Sequence, residues 1–408
     1  MNKLELTLYL TVLDNLEVNM NNFTFYSPTY FVFGKEQENT AGYYVKKFGG
    51  TKVLLHFGAG SVVRSGLLDR VKASLSKEGI EFLELGGVKP NPRSGLVYEG
   101  IEICKKNNID FILAVGGGSA IDSAKAIAAG AKYEGDFWDF YEGKKHIEEA
   151  IKVGTVLTIA AAGSEGSGDT VITKEEGMLK RGAGSEALRP VFSILNPELT
   201  GTLPAYQTAC GATDIMAHVF ERYFTNTRDV EITDRLCESV LLTIIKEVPK
   251  VIKNSNDYEA RANIMWAGMV AHNNLVGVGR DQDWASHEIE HELSALYDCA
   301  HGAGLAVIFP AWMTYVLKHD VNRFAQLAVR VWGCHMDFAH PEVTAEEGIL
   351  CFKKFLTSIG MPINFKELGA KEEDIPAMVD KLGMDNRTIG GFVKLNKNDV
   401  EAIYRLAL

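Results

Sequence analysis

The stretch His287-Glu-Ile-Glu-His291 sets two imidazoles four residues apart with glutamates between them. On a helix that spacing puts both rings on one face, the arrangement by which HExxH proteases hold zinc and keep a glutamate as general base. Such a site needs a third ligand. Tyr297 stands where an extended HExxHxxGxxH pattern would carry its third histidine, and Ser294 stands where the glycine belongs. A downstream glutamate ligand is missing as well, because no glutamate occurs between Glu292 and Glu342. The protease reading therefore fails on its own terms.

Other residues complete a different set. Asp214 and His218 are four apart, and His301 opens the stretch HGAG. Taken alone, Asp214 reads as a first-turn aspartate favoured by the helix dipole, with His218 a packed surface group. Taken together, Asp214, His218, His287 and His301 offer one carboxylate and three imidazoles. That set suits Fe(II) or Zn(II) and leaves a coordination position for a substrate oxygen; both are borderline cations, so ligand type does not choose between them. Eight of the ten histidines lie in this second half of the chain.

The first half carries phosphate chemistry instead. Gly116-Gly-Gly-Ser119 follows the apolar run DFILAV and leads into AIDSAKAIAAGA. Successive glycines let a phosphate reach the backbone, and the N–H groups at the helix start point at it. The purely structural alternative is a capping box between Ser119 and Asp122. An earlier loop, Gly58-Ala-Gly-Ser61, departs from GxGxxG because Val63 occupies the third glycine position. It also lacks an acidic residue to hold a ribose 2′-hydroxyl. Its small residues and Ser61 leave room for a 2′-phosphate, which favours NADPH over NADH.

These loops need a frame. TKVLLHF, IEFLEL, DFILAV, TVLTIA and VFSIL are short apolar runs, the first three separated by helical patterns, which predicts a parallel sheet covered on both faces and extending to about residue 196. After Leu203-Pro204 come long helical periodicities such as ITDRLCESVLLTIIKEVPKVI, with almost no strand-like runs. The expected architecture is α/β plus all-α. A Rossmann-like dinucleotide domain would cover 20–204 and a helical metal-binding domain 205–408, with a cleft between them. Residues 1–19 alternate like a strand without the features of a signal peptide, and no role follows for them.

Composition narrows the partners. The chain has 408 residues, 46% of them hydrophobic, enough for two sizeable cores. A net charge of −11 gives no basic excess for nucleic acid, and no apolar run is long enough for a membrane span. Six scattered cysteines without a CxxC pattern fit a reduced, cytoplasmic protein.

The combined pattern resembles a known family. D-x3-H, then H-x3-H with a further H-G fourteen residues after its first histidine, stands behind a GGGSxxDxxK loop. This is similar to the iron-containing alcohol dehydrogenases, in their butanol dehydrogenase-like and NADPH-dependent aldehyde reductase branch. The likeness runs from about Phe23 to the C-terminus through PTYFVFG, GGVKPNP, AVGGGSAIDSAKAIAAGA, DYEARANIMWA, DWASHEIEHELSALYD and HGAGLAVIFPAWM. It implies a dehydroquinate synthase-like architecture and hydride transfer between NAD(P)H and small aldehydes or primary alcohols such as butanal and butanol. It also implies a homodimer built through the sheet domain.

By the same resemblance Asp214, His218, His287 and His301 hold Fe(II), with Zn(II) the alternative, and His291 is a cleft histidine beside the metal rather than a ligand. His291 is thereby the candidate proton donor. Coenzyme contacts are implied for Gly58, Gly60, Ser61, Asn91, Gly117, Gly118, Ser119 and Asp122. Thr158, Ser164, Lys180, Thr202 and Leu203 are implied to line the rest of the groove. One departure stands out: relatives commonly read TxxxTGSE where this chain reads TIAAAGSE, so Ala162 removes one hydroxyl. Trp284, Trp266 and Phe309 are candidate apolar walls. The rival functions are a polyol (glycerol-type) dehydrogenase and a dehydroquinate synthase-like lyase. The lyase would need extra basic residues for a phosphorylated, carboxylated substrate.

Overall fold

The computed structural model describes residues 19–408 except 59 and 386; most of the N-terminal extension lies outside the described residues. Six strands form one parallel sheet: β1 (Tyr30–Phe33), β2 (Lys52–Gly58), β3 (Glu81–Val88), β4 (Phe111–Gly116), β5 (Lys152–Leu157) and β8 (Phe192–Leu195), in the order β1-β8-β5-β4-β2-β3. β6 (Asp169–Lys174) and β7 (Leu179–Gly184) form a separate antiparallel hairpin. Every residue of β4 is buried, as expected of a parallel strand covered on both faces.

The chain leaves β2 towards β3 on one side, and β4 lies on the other side of β2. The carboxyl ends of β2 and β4 thus flank a switch point, where open α/β sheets form their ligand crevice. Both glycine-rich loops start there. The helix after β4, Gly118–Gly130, has Gly117 as its N-cap and no side-chain cap, so the alternative Ser119–Asp122 capping box is not made. Asp122 turns away instead. Its carboxylate accepts from Ser164 Oγ and from the Val171 amide at 3.0 Å, which fastens the hairpin to this helix and leaves the helix start without a side-chain cap.

Helices dominate from Ala205 onwards, and among the described residues only an isolated bridge, Ile389 to Leu395, pairs extended backbone there. Three helices matter for function: Ala205–Tyr223, Ala285–Tyr297 and His301–Val316. The apolar interior splits into two clusters, but by sheet face. Val53, Leu55, Leu113 and Val115 point to a cluster with Val71 and Leu75. Leu54, Ile112 and Ala114 point to one that runs on through Ile215, Phe220 and Trp312 into the helical half. Alternation along β2 and β4 therefore ties both halves of the chain to one continuous core.

The hairpin was not expected from the sequence. Its turn residues Gly177 and Met178 both have positive φ, at 79° and 49°. The hairpin and the loop before it are held from below by Lys125, whose fully buried ammonium donates to Ser164 O, Ser164 Oγ, Ser167 O and Asp169 O at 2.7–3.0 Å. Removing that donor leaves buried carbonyls unpaired, at a cost of roughly 3 kcal/mol. Lys125→Met is expected to lower the unfolding free energy by about that amount in a urea titration. It should also weaken coenzyme binding in a fluorescence titration, because the loop it holds lines the cleft.

Candidate metal centre and coenzyme cleft

Asp214 and His218 lie one turn apart on the helix Ala205–Tyr223. Asp214 is the tenth residue of that helix and both side chains are buried, so neither the first-turn nor the surface reading applies. His287 is the third residue of the helix Ala285–Tyr297, and His301 is the first residue of the next helix. Ligand-type atoms of Asp214, His218 and His287 all lie within 4.8 Å of one another. The Oδ1 of Asp214 is the common centre: His218 Nδ1 lies 3.2 Å away, His287 Nε2 3.9 Å and His301 Nε2 3.8 Å. Asp214 Oδ1 and His287 Nε2 are buried with no hydrogen-bond partner.

Each imidazole has its Nδ1 engaged. His218 Nδ1 faces the Asp214 carbonyl oxygen at 2.8 Å, His287 Nδ1 faces Glu221 Oε1 at 2.7 Å, and His301 Nδ1 meets Glu290 Oε2. A proton held on Nδ1 leaves Nε2 as a lone-pair donor. Glu221 also accepts from the Trp284 and His287 amides at 2.7 and 3.0 Å, which fixes the start of the His287 helix. Neither glutamate was singled out from the sequence. Glu221 was nonetheless legible there, since Asp214, His218 and Glu221 at i, i+4 and i+7 share a helix face.

Charge follows this geometry. Burial alone would raise the Asp214 carboxyl, but His218, His287 and His301 hold it well below the carboxylate range. Burial would lower His287, yet Asp214 and Glu221 on either side raise it to about 9. Desolvation in the cleft, with Lys180 and His301 adding to it, pushes His291 well below the ordinary histidine range. The His291 ring lies 5.6 Å from that of His301, outside the set around Asp214. Glu288, the glutamate a protease would need, forms an ion pair with Arg387 at 3.0 Å.

One cleft of about 1720 Å³ joins this ring to the glycine-rich loops. Gly58, Gly60, Ser61, Asn91, Gly117, Gly118, Ser119, Asp122, Thr158, Ser164, Lys180 and Leu203 line it together with Asp214, His218, His287, His291 and His301. Thr202 does not; it is exposed beside Leu203. Asn91, at φ 50°, donates to Asp298 Oδ1 and Cys299 O, and so ties the nucleotide half to the helical half. Asp122 is a clamp on the hairpin, as described above, and burial raises its carboxyl to about 6.

Of the three aromatics, only Trp284 lines the cleft. Trp266 packs edge-on against Phe31 and Phe33 at 5.9 and 6.0 Å, and Phe309 is core beside Phe220. Two cleft residues escaped the sequence reading. The His272 ring lies 4.1 Å from that of His218, tilted by 55°, and Arg222 lies between His272 Nδ1 (3.1 Å) and the Trp284 ring.

Glycines set the approach of the elements that carry the ring. A Cβ on Gly302 would lie 2.0 Å from Cys210 O, and one on Gly211 would lie 2.3 Å from Ala160 O. Backbone cannot yield to such contacts as a side-chain tip can, so Gly302→Ala must push the His301 helix away from the Asp214 helix. The variant is expected to bind less than one tenth of the metal retained by the unaltered chain, by elemental analysis after gel filtration, a drop of the size seen when ligand-positioning contacts are lost, roughly 10- to 100-fold.

Residues 28–197 match the family model described as iron-containing alcohol dehydrogenase, and residues 208–408 match that of the C-terminal region of the Fe-containing alcohol dehydrogenase family. The probable NADH-dependent butanol dehydrogenase 2 of Bacillus subtilis is 44% identical over 95% of this chain and 100% of its own length. The NADPH-dependent aldehyde reductase of Escherichia coli is 37% identical over 89% of this chain and 93% of its own. The crystal structure of NADH-dependent butanol dehydrogenase A from Thermotoga maritima superposes with a TM-score of 0.92 at 43% identity, covering 95% of this chain and 99% of that one.

Proposed function

The chain belongs to the iron-containing alcohol dehydrogenase family, and from that premise we propose that it transfers hydride between NAD(P)H and small primary aldehydes or alcohols of the butanal and butanol kind. The observation that carries this is one cleft in which glycine-rich helix starts and the three imidazoles gathered around Asp214 Oδ1 face the same space.

The residues present fit a divalent metal. Asp214 Oδ1 and His287 Nε2 are buried without partners, an arrangement costly in a protein with nothing to bind there. We assign Asp214, His218, His287 and His301 as the holders of Fe(II), with Zn(II) as the alternative. When bound, such an ion supplies Lewis-acid polarisation of the substrate carbonyl. The chain's own residues do the rest. Uncapped N–H groups around Gly117 and Gly118 receive the coenzyme phosphates. Trp284 closes an apolar side of the substrate space. His291, half-buried in the cleft, takes up a proton on one ring nitrogen as it releases one from the other, and so connects solvent to the developing alcohol.

We favour NADPH as coenzyme. Around the loop after β2 and the end of β3, Ser61, Arg64 and Lys89 line the cleft, and no carboxylate does. That surface suits a 2′-phosphate. The names of the Bacillus and Thermotoga relatives pull towards NADH and that of the Escherichia coli relative towards NADPH. Basic side chains at the metal end are already paired, Arg181 and Lys381 with Glu292 and Arg387 with Glu288. That pairing counts against a grip by these three side chains on the phosphorylated, carboxylated substrate of a lyase.

We further assign a cytoplasmic location and a homodimer through the sheet domain. The former is supported by six free cysteines and, among the described residues, by no helix long and apolar enough to cross a membrane. The latter is supported by the edge position of β1 and its exposed Tyr30 and Phe33.

Absorbance at 340 nm with NADPH and butanal tests the reading, using protein stripped with chelator and reloaded with Fe(II) or Zn(II). Turnover should require metal, and Asp214→Ala should lower kcat/KM by about 10³-fold, or ~4 kcal/mol of transition-state stabilisation. His291→Gln should lower kcat by about 10²-fold at unchanged metal content. Absence of turnover with either metal and either coenzyme would sink the assignment, and comparable kcat/KM for NADH and NADPH would remove the coenzyme preference.

A further inference from the structure

Glu290 has no assigned task in the reaction, yet it is wholly buried and its carboxylate accepts from Nδ1 of His301. We infer that Glu290 is a positioning residue for His301, held in place by Lys180 from across the cleft, and that this pair sets the affinity and geometry of the metal ring. The inference rests on the reading of Asp214, His218, His287 and His301 as metal ligands.

Three independent features support it. First, His301 opens its helix and is more exposed than His218 or His287, with 24% of its side chain accessible. It has no neighbouring turn before it to fix its ring, so Glu290 provides that constraint. A carboxylate on Nδ1 keeps the proton there, leaves Nε2 facing Asp214, and raises the basicity of the ligating nitrogen.

Second, room has been left for the carboxylate. Gly304, three residues after His301, would carry a Cβ only 2.4 Å from Glu290 Oε1. Third, the negative charge is met by a cation from the other half of the molecule. Lys180 on the β6–β7 hairpin is itself buried, with Nζ 3.6 Å from Glu290 Oε2 and 2.8 Å from Ser294 Oγ. A buried carboxylate without such a partner would draw the His301 proton towards itself or refuse burial. Lys180 is thus both a lining residue of the coenzyme groove and the counter-charge of a group that orients a metal ligand. The middle of HEIEH acquires a purpose: Glu290, rather than Glu288, serves the metal, and it does so through a histidine on a different helix.

The test uses full-length apo protein and measures metal affinity directly, by Zn(II) competition against a chromogenic chelator and by Co(II) titration read from the visible d–d bands. Glu290→Leu, which fills the space without an acceptor, should weaken Zn(II) binding roughly 10- to 100-fold and change the Co(II) band shape. Glu290→Gln keeps an acceptor for Nδ1 and should restore the band shape and most of the affinity, a rescue that loss of packing alone does not predict. Lys180→Met should weaken binding in the same direction by less. His301→Ala and Asp214→Ala serve as references.

Glu290→Leu binding Zn(II) within about twofold of the unaltered chain, with an unchanged Co(II) spectrum while His301→Ala is weakened, would overturn this inference alone. Should Glu290→Leu fail to fold, Gly304→Ala displaces the same carboxylate and must show the same weakening; unchanged binding would overturn the inference equally. If His301→Ala and Asp214→Ala both bind metal as tightly as the unaltered chain, the metal-site reading fails and this inference falls with it.

Discussion

A carboxylate taken out of water must be met by positive charge or by donors, and the helical half is arranged around meeting that demand at Asp214. Three imidazoles from three helices converge on one of its oxygens; the outer nitrogens of His287 and His301 are anchored by Glu221 and Glu290, while His218 Nδ1 faces both that oxygen and the Asp214 carbonyl. Negative and positive groups therefore alternate outward from the centre. Each layer fixes the one inside it, so the inner nitrogens are held at a spacing that a divalent ion can bridge.

That convergence requires backbones to come closer than side chains ordinarily allow. Gly211 on the Asp214 helix meets Ala160 O from the loop after β5, and Gly302 meets Cys210 O on the same helix. Gly304 accommodates Glu290, and Gly163, at φ 65°, lies against the His272 helix. These glycines serve approach between elements, and they explain why Gly-Ala-Gly follows His301. On the coenzyme side Gly117 does the same, since a Cβ there would lie 2.3 Å from Ile159. Ala162, whose Cβ would lie 3.3 Å from a Cβ on Gly118, is one more small residue at this seam.

The nucleotide half and the metal half are separate in sequence but mechanically joined. The larger core runs unbroken from one sheet face into the helices. Asn91 and Arg93 reach Asp298, two and three residues ahead of Ala300 and His301, and Lys180 and Arg181 reach Ser294 and Glu292. A coenzyme lying along the groove thus contacts elements that also hold the ring.

Legibility divides along the same physical line. Local spacing determined much: i, i+4 pairs put Asp214 with His218, apolar runs alternating with helical periods predicted the parallel sheet, and glycine runs after β2 and β4 marked two loops that line the cleft. Each of these depends on neighbours within a turn or a strand. HEIEH shows the limit. Its spacing is correct for two ligands, yet only the packing of three helices decides that His287 joins Asp214 while His291 stands aside and Glu288 turns to Arg387. The hairpin β6–β7, the buried Lys125, the clamp made by Asp122, and the glutamates behind His287 and His301 were likewise decided in three dimensions. Lys125, Asp122 and Glu221 meet partners 39 to 66 residues away and Glu290 meets Lys180 from more than a hundred, and a buried polar group is identified by what it meets rather than by what precedes it in the chain.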